Sequence, residues 1–593
     1  MTSPRGTARV GFSLILLGVV GTGLAAADAS GQAGSKPGGL EPADLVLLHG
    51  KVHTLDPARP LAQALAAKGE RIVAVGSDAE IEAYRGPATR VIDLDGRLAV
   101  PGLIEGHGHF MSFGESLTEL ELRHARTWDE IVEMVAKAAR TARPGEWIVG
   151  RGWHQDKWVR RPTPNVEGLP LHQSLSRASP QNPVFLSHTS GHGLFVNAKA
   201  LELAGISRAT PDPPGGEIVR DPQGEPAGML RESAATPVRE AFARHRAQRP
   251  RGEIEAEQRR YAELASQAAL ANGITSFQDM GASFETIDVL KKLADEGRLP
   301  IRLYLAVEEP SEVMQDKLAR YRSIDHGNGH LTLRTIGEKV LDGALGTHGG
   351  WLLEPYTDLP RSSGLNVTPV PEIRRSAELA IEHGYQMAIQ GIGDRAVREL
   401  LDIYEEQFRK HPDKKDVRWR IEHAQVVHPQ DLPRFAKLGV IPSIQGLFAC
   451  SDGPWVVDRL GPERARERGY LFRAMIESGA VVTNGTDPPV EEIDPIASFH
   501  CSVTRELPNG SLFFPEQAMT REQALHSYTL GNAYAAFEDK SKGSLEPGKL
   551  ADITVLSRDI MTIPPQEIRG ATVVYTIVGG KLRYQQDQAK SGE

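Results

Sequence analysis

The sequence predicts an α/β protein built around a TIM-type (β/α)8 barrel. Three observations predict it. Eight short apolar runs, each suited to a buried parallel strand, recur along the chain at 99–104, 274–277, 301–307, 335–341, 386–389, 417–421, 440–444 and 481–483. Stretches with helical spacing of apolar residues lie between them, for example 259–271, 287–294, 372–382, 396–408 and 466–478. Polar residues able to bind a metal or move a proton fall at the ends of the runs, where such barrels gather their chemistry.

The remaining elements follow in chain order. Arg5 and Arg9 precede an apolar run over 10–24, and Ala25, Ala26 and Ala27 form a small-residue cleavage pattern. Residues 1–27 therefore read as a signal peptide, and a periplasmic or secreted location is expected. Residues 28–41, rich in Gly, Ala and Ser, read as a flexible leader. Segment 42–98 carries β-branched runs at 44–48, 71–75 and 90–94, punctuated by Gly50, Gly76 and Gly96; segment 546–593 adds 551–556 and 573–578. Neither set can close a core alone, so the expectation is a small composite β-sandwich made from both termini. The barrel then occupies 99–545. Within it, 110–257 is too long for a first βα loop and reads as an inserted α+β subdomain over the barrel mouth.

Composition removes several function classes. Of 593 residues, 40% are hydrophobic and 24% charged, which excludes a disordered chain. A formal charge of −9 argues against a nucleic-acid partner, because phosphate neutralisation needs a basic face. Beyond residue 27 no segment has the length and apolarity of a membrane span. The expected partner is a small-molecule substrate, with no membrane after signal cleavage and a homodimer as the assembly to test. Cys450 and Cys501 are too few for a disulfide scaffold or a thiolate metal site, and both read as packing residues. Nineteen histidines are a positive hint, since imidazole is the commonest metal ligand.

His107 and His109, at i and i+2 on a strand, point to one side and can share an ion, although a surface pair reads as well. Lys339 sits inside an apolar strand, which is costly unless the amine is modified or paired, with Glu338 or Asp342 as partners in sequence. Alone, His423 would pass for a core histidine and Asp487 for a helix cap. The joint pattern outweighs each, because all of them end different strands. In the insertion, Trp153, His154, His188 and His192 suit a pocket wall; core tryptophans and solvent-facing histidines are the plainer alternative. Asp279 closes the second strand and faces the same mouth, or caps a loop.

The stretches Pro101-Gly102-Leu103-Ile104-Glu105-Gly106-His107-Gly108-His109, Ile392-Gly393-Asp394-Arg395-Ala396, Arg420-Ile421-Glu422-His423-Ala424-Gln425 and Asn484-Gly485-Thr486-Asp487 resemble the amidohydrolase superfamily, in its family 3 (YtcJ-like) branch. The resemblance covers about 43–585. It implies hydrolysis of a non-peptide carbon–nitrogen bond by metal-activated water, with a divalent metal, zinc first, in one or two copies. His107, His109 and Asp487 would hold the first metal, a carboxylated Lys339 would bridge, and His423 would bind the second. Asp487 would also be the catalytic proton carrier. Gln390 stands where the family usually has a histidine ligand, and an amide oxygen is a poor zinc donor. His348, in place of a frequent arginine, is a candidate replacement or substrate contact. Glu105 replaces a frequent aspartate and is not assigned to the metal. Two rivals follow: a ligand-binding homologue with impaired catalysis, suggested by Gln390, and a lyase or isomerase on the same barrel.

Overall fold

The computed structural model describes residues 40–587. The expected signal peptide, nearly all of the leader and residues 588–593 lie outside the described residues. Eight parallel strands follow one another around the barrel: β1 (Leu103–Gly108), β2 (Ile274–Ala282), β3 (Arg302–Val307), β4 (Leu331–Val340), β5 (Gln386–Gly391), β6 (Arg420–His423), β7 (Ile441–Gln445) and β8 (Thr483–Gly485). They are buried on both faces, which is why they read as near-continuous apolar runs. Helices between them bury one stripe each. Helix Val370–His383 buries Ile373, Ala377 and Ala380, and helix Asp394–Lys410 buries Val397, Leu400, Leu401 and Tyr404. Each of the buried Val, Leu and Ile side chains contributes about 1.5–3 kcal/mol.

No backbone ladder joins β8 to β1 among the described residues. Side chains fasten this seam, together with two backbone bonds at its mouth, from the Asp487 amide to the His107 carbonyl (3.0 Å) and from the His109 amide to the Pro488 carbonyl (2.8 Å). Asn532 donates to the carbonyls of Ile104 (2.7 Å) and Asn484 (2.8 Å) and accepts from the Asn484 amide (3.1 Å). Glu105 accepts from the amide and hydroxyl of Thr486, both at 2.7 Å. Glycine is required here: a Cβ on Gly106 would lie 2.4 Å from Asn532 Oδ1, and one on Gly485 2.2 Å from Glu105 Oε1.

The predicted first strand is divided. Leu98–Pro101 belongs to a terminal sheet, between Ile553–Leu556 and Lys51–His53, and the barrel begins after Gly102. That six-stranded sheet takes strands from both ends of the chain, and shares a core (Leu47, Leu65, Ile72, Val555, Ile577) with the four-stranded sheet formed by 45–93. Arg302, at the start of β3, is tied to it by Asp552, with Nε to Oδ2 at 2.9 Å. Between β1 and β2 the chain forms a six-stranded mixed sheet that includes Ile148–Trp153, Val184–His188 and Pro226–Glu232.

The cysteines correct the expectation of two packing thiols. Cys450, on helix Phe448–Leu460, is disulfide-bonded to Cys501, on helix Pro495–Thr504. Their proximity is tertiary and has no signature in the spacing. No described helix is long and apolar enough to cross a membrane.

Candidate metal centre

His107, His109, His423, Glu338 and Asp487 converge at the mouth of the barrel, each delivered by a different strand end or loop except for the first two. His107 Nε2 is 3.5 Å from Asp487 Oδ1 and 3.6 Å from Glu338 Oε2. His109 Nε2 is 3.5 Å from Asp487 Oδ1, and His423 Nε2 is 3.2 Å from Glu338 Oε1. Two overlapping sets, His107 with His109 and Glu338, and His107 with His423 and Asp487, each keep their donor atoms within 4.8 Å of one another.

A layer beneath aims the imidazoles. His107 Nδ1 lies 2.7 Å from Glu422 Oε2. Arg420, wholly buried, donates to both oxygens of Glu422 (2.7 and 2.9 Å), to the Gly106 carbonyl (2.7 Å), to Ser443 (2.8 Å) and to Gln278. Burial alone would raise the Glu422 pKa; Arg420 and His107 overcome it and hold the carboxyl at about 2. An ionised Glu422 takes the Nδ1 proton of His107 as a hydrogen bond and leaves the Nε2 lone pair facing the mouth. His423 is oriented the same way by Gln445 Oε1, 2.7 Å from Nδ1, and its ring stacks on Phe448.

Strand alternation explains most of these placements. Arg420 and Glu422, at i and i+2, share the barrel interior, and His423 should then face away. A positive φ at His423 (69°) and Ala424 (41°) turns the chain so that His423 joins the mouth. Asp487 also has φ 57°, and its amide donates to the His107 carbonyl at 3.0 Å. Such backbone costs on the order of 1–3 kcal/mol per residue and concentrates at functional sites.

Several expected site residues lie elsewhere. Lys339 is outside the cluster. Its Nζ is 2.7 Å from Glu372 Oε1 on the surrounding helix layer, so an ion pair satisfies the amine, and Glu338 supplies the β4 donor in its place. Trp153 is wholly buried in the core of the inserted sheet, with its indole donating to the Leu186 carbonyl at 3.0 Å. Asp279 accepts from the Phe110 amide at 3.2 Å, below the cavity, and burial first of all pushes its carboxyl up to about 7. His348 points at Asp358 (3.1 Å) and does not line the cavity. Gln390 does line it, but its amide nitrogen donates to the Asp342 carbonyl. His154, His188 and His192 line a cavity of about 740 Å³ over the cluster. Glu105 serves the seam. The residues missed from sequence are Glu338, Glu422 and Gln445; the i, i+2 pairing of Arg420 with Glu422 was the available signal for one of them.

The cluster fits a cation. His107 Nε2, Glu338 Oε1 and Asp487 Oδ1 are buried without a hydrogen-bond partner, the first and last facing each other at 3.5 Å and Glu338 Oε1 facing His423 Nε2 at 3.2 Å. Orphaned polar atoms of this kind are expensive unless something satisfies them. The cluster is also short of positive charge: burial disfavours a charged His107 or His423, yet Glu338 and Asp487 prevail and raise both, His423 to about 10. Imidazole nitrogens and carboxylate oxygens in this number are the donor set of a zinc-type ion.

Residues 90–584 match the model of the amidohydrolase family. The chain belongs to the amidohydrolase family. LONG AFTER FAR-RED 3 of Arabidopsis thaliana is 34% identical over 91% of this chain and 92% of its own length. N-substituted formamide deformylase of Arthrobacter pascens is 29% identical, over 91% and 98% respectively. Among solved structures, a metal-dependent hydrolase from Pyrococcus horikoshii superposes with a TM-score of 0.69 at 27% identity, covering 88% of this amidohydrolase and 99% of the other chain.

Proposed function

We propose that this amidohydrolase cleaves a non-peptide, amide-type carbon–nitrogen bond in a small molecule, using one divalent cation, zinc first among candidates. The observation that carries this reading is the convergence of orphaned His107 Nε2, Glu338 Oε1 and Asp487 Oδ1 under the cavity. The formamide deformylase relative supports the bond type. One ion is favoured over two because Lys339 is held by Glu372 and the amide oxygen of Gln390 is a poor zinc donor.

When bound, such an ion polarises a carbonyl and brings the pKa of water to about 7. The chain's own residues do the rest. Glu422 and Gln445 hold the imidazoles in the tautomer that presents Nε2. The Asp487 carboxylate takes the proton of the attacking water and returns it to the leaving nitrogen. The walls of the inserted sheet exclude bulk water and seat the substrate.

Metal analysis of the purified protein, followed by a zinc- or manganese-loaded screen of formamides, N-acyl amines and cyclic amides, tests the reading. Bound metal is expected, with release of one amine and one acid from an open-chain amide or ring opening of a cyclic amide to one amino acid. A folded protein that takes up no metal would instead be a ligand-binding homologue. Products other than amine and acid would make it a lyase or isomerase.

We also propose export to an oxidising compartment, supported by the Cys450–Cys501 bond and by the signal-like start. N-terminal sequencing of the cellular protein is expected to begin at Asp28; retention of Met1 would overturn the proposal.

A further inference from the structure

The turn that carries Asp487 is held from two sides. Asp487 lies just beyond β8 with φ 57°, and its carbonyl accepts from the amides of Val490 (2.7 Å) and Glu491 (3.4 Å), so 487–491 close on themselves. The barrel grips the near end, through the Asp487 amide on the His107 carbonyl and the His109 amide on the Pro488 carbonyl. Farther along, the barrel gives way to the insertion. Among the described residues, every hydrogen bond or ion pair from 489–492 to another part of the chain is made by Arg123, His124 or Thr189.

Two of those ties are directional and sheltered. Thr189 Oγ1 donates to the Val490 carbonyl at 3.0 Å, and Arg123 Nη2 donates to the Pro489 carbonyl at 3.2 Å. Thr189 directly follows strand Val184–His188 and is 7% exposed; its own amide donates at 3.0 Å to the carbonyl of wholly buried Trp153. Arg123 follows the edge strand Leu120–Glu121, and its guanidinium also meets Glu121 at 3.9 Å and Glu492 at 3.8 Å. Thr189 is thus fixed to the sheet core before it reaches the loop. The third tie, His124 Nε2 to Glu492 Oε1 at 3.5 Å, joins exposed side chains and contributes little.

The bonds form a chain that ends at the metal cluster. The Thr189 hydroxyl holds the Val490 carbonyl, the Val490 amide holds the Asp487 carbonyl, and Asp487 Oδ1 faces the Nε2 atoms of His107 and His109, each at 3.5 Å. Two hydrogen bonds therefore separate a threonine of the insertion from a carboxylate of the barrel mouth. A non-glycine residue in the left-handed region persists where its surroundings over-determine it. Without the insertion, the turn beyond Asp487 has no polar tie outside itself, and the carboxylate can swing off the imidazoles.

We propose that Thr189 and Arg123 are positioning residues for Asp487: the inserted sheet, besides covering the mouth, clamps the turn that aims this carboxylate at the cation. The inference rests on the metal-centre reading, and its readouts need no turnover.

The test uses the mature protein loaded with zinc, and with cobalt(II), whose visible bands report coordination geometry. Thr189→Val removes the hydroxyl and keeps the shape. It is expected to weaken zinc binding about tenfold, in competition with a chromophoric chelator, and to alter the cobalt spectrum. Thr189→Ser keeps the donor and should restore both; Arg123→Met should act in the direction of Thr189→Val. Unchanged affinity and spectrum in Thr189→Val, or a loss that Thr189→Ser does not repair, would overturn the proposal. The wild type supplies a test that needs no variant to fold. Coupling between two sites is reciprocal, so an ion aided by the clamp must tighten it. Added zinc should slow amide-hydrogen exchange at Thr189 as well as at Val490, and protection that stops at Val490 would equally overturn the proposal. A folded wild type that binds neither ion removes this inference together with the metal centre. The expected coupling without cleavage of any amide would keep the clamp and sink the hydrolase reading alone.

Discussion

Glu338 and Lys339 are consecutive on β4 and serve opposite sides of it. Glu338 Oε1 faces His423 Nε2 at 3.2 Å inside the mouth, while Lys339 Nζ reaches Glu372 at 2.7 Å in the outer helix layer. In a barrel strand neighbouring side chains alternate between interior and exterior, so only one of the two can be a ligand. Glu338→Gln should weaken metal binding by at least about tenfold, as removal of a charged donor from such a site requires. Lys339→Met should leave the metal-to-protein ratio unchanged and cost about 1.5–3 kcal/mol of stability, because Glu372 loses its charged partner. Elemental analysis and urea denaturation of the two variants would separate the roles; loss of metal from Lys339→Met would return the lysine to the site.

Asp487→Asn keeps the amide–carbonyl link to His107, which uses only its backbone. The variant should fold, melt near the wild type and show no measurable turnover. Full activity would remove Asp487 from proton transfer.

The Arg302–Asp552 pair fixes the acid limb of stability. Burial would raise the pKa of Asp552, but Arg302 and the Gly579 amide prevail and lower it. A depressed folded-state pKa stabilises the protein above the ordinary aspartate range, and that contribution disappears as pH falls through the lowered value. Asp552→Asn should therefore be less stable than the wild type at pH 7, with the gap narrowing below about pH 4. Denaturation midpoints across this range check it; a gap that widens in acid would contradict the assignment.

The disulfide reaches the site through two residues. Cys450 follows Phe448, whose ring stacks on His423, and precedes Asp452, which lines the cavity. Closing a loop of this size contributes about 2–4 kcal/mol. Cys501→Ser should lower stability by that order and weaken metal retention at high temperature. An unchanged midpoint in the variant, matched by no effect of reductant on the wild type, would show the bond to be idle.

Sequence resolved the architecture and the histidines better than the carboxylates. Apolar runs and strand-end polarity are local patterns, so the eight strands, His107, His109, His423 and Asp487 were legible. Which face of β4 points inward is not local: the ladder to β5 shifts register between Ile336 and Lys339, and that shift sets the phase that separates Glu338 from Lys339. The task of Glu422 is not legible in its motif, because its work depends on Arg420 reaching across the barrel to Gly106. Trp153 and His348 looked like pocket residues by type, and only packing shows the one inside a core and the other turned to Asp358. Cysteine pairing is likewise a matter of what meets across space.

The seam between β8 and β1 gives the ion a mechanical duty. His107 stands on one lip and Asp487 on the other, where Asn532, Glu105 and the backbone bonds Asp487 to His107 and His109 to Pro488 are the stitches described. A cation gripping both lips would act as a rivet, so loading would stiffen the whole cylinder, and amide-hydrogen exchange in Ile104 and Asn484 should slow when it is added.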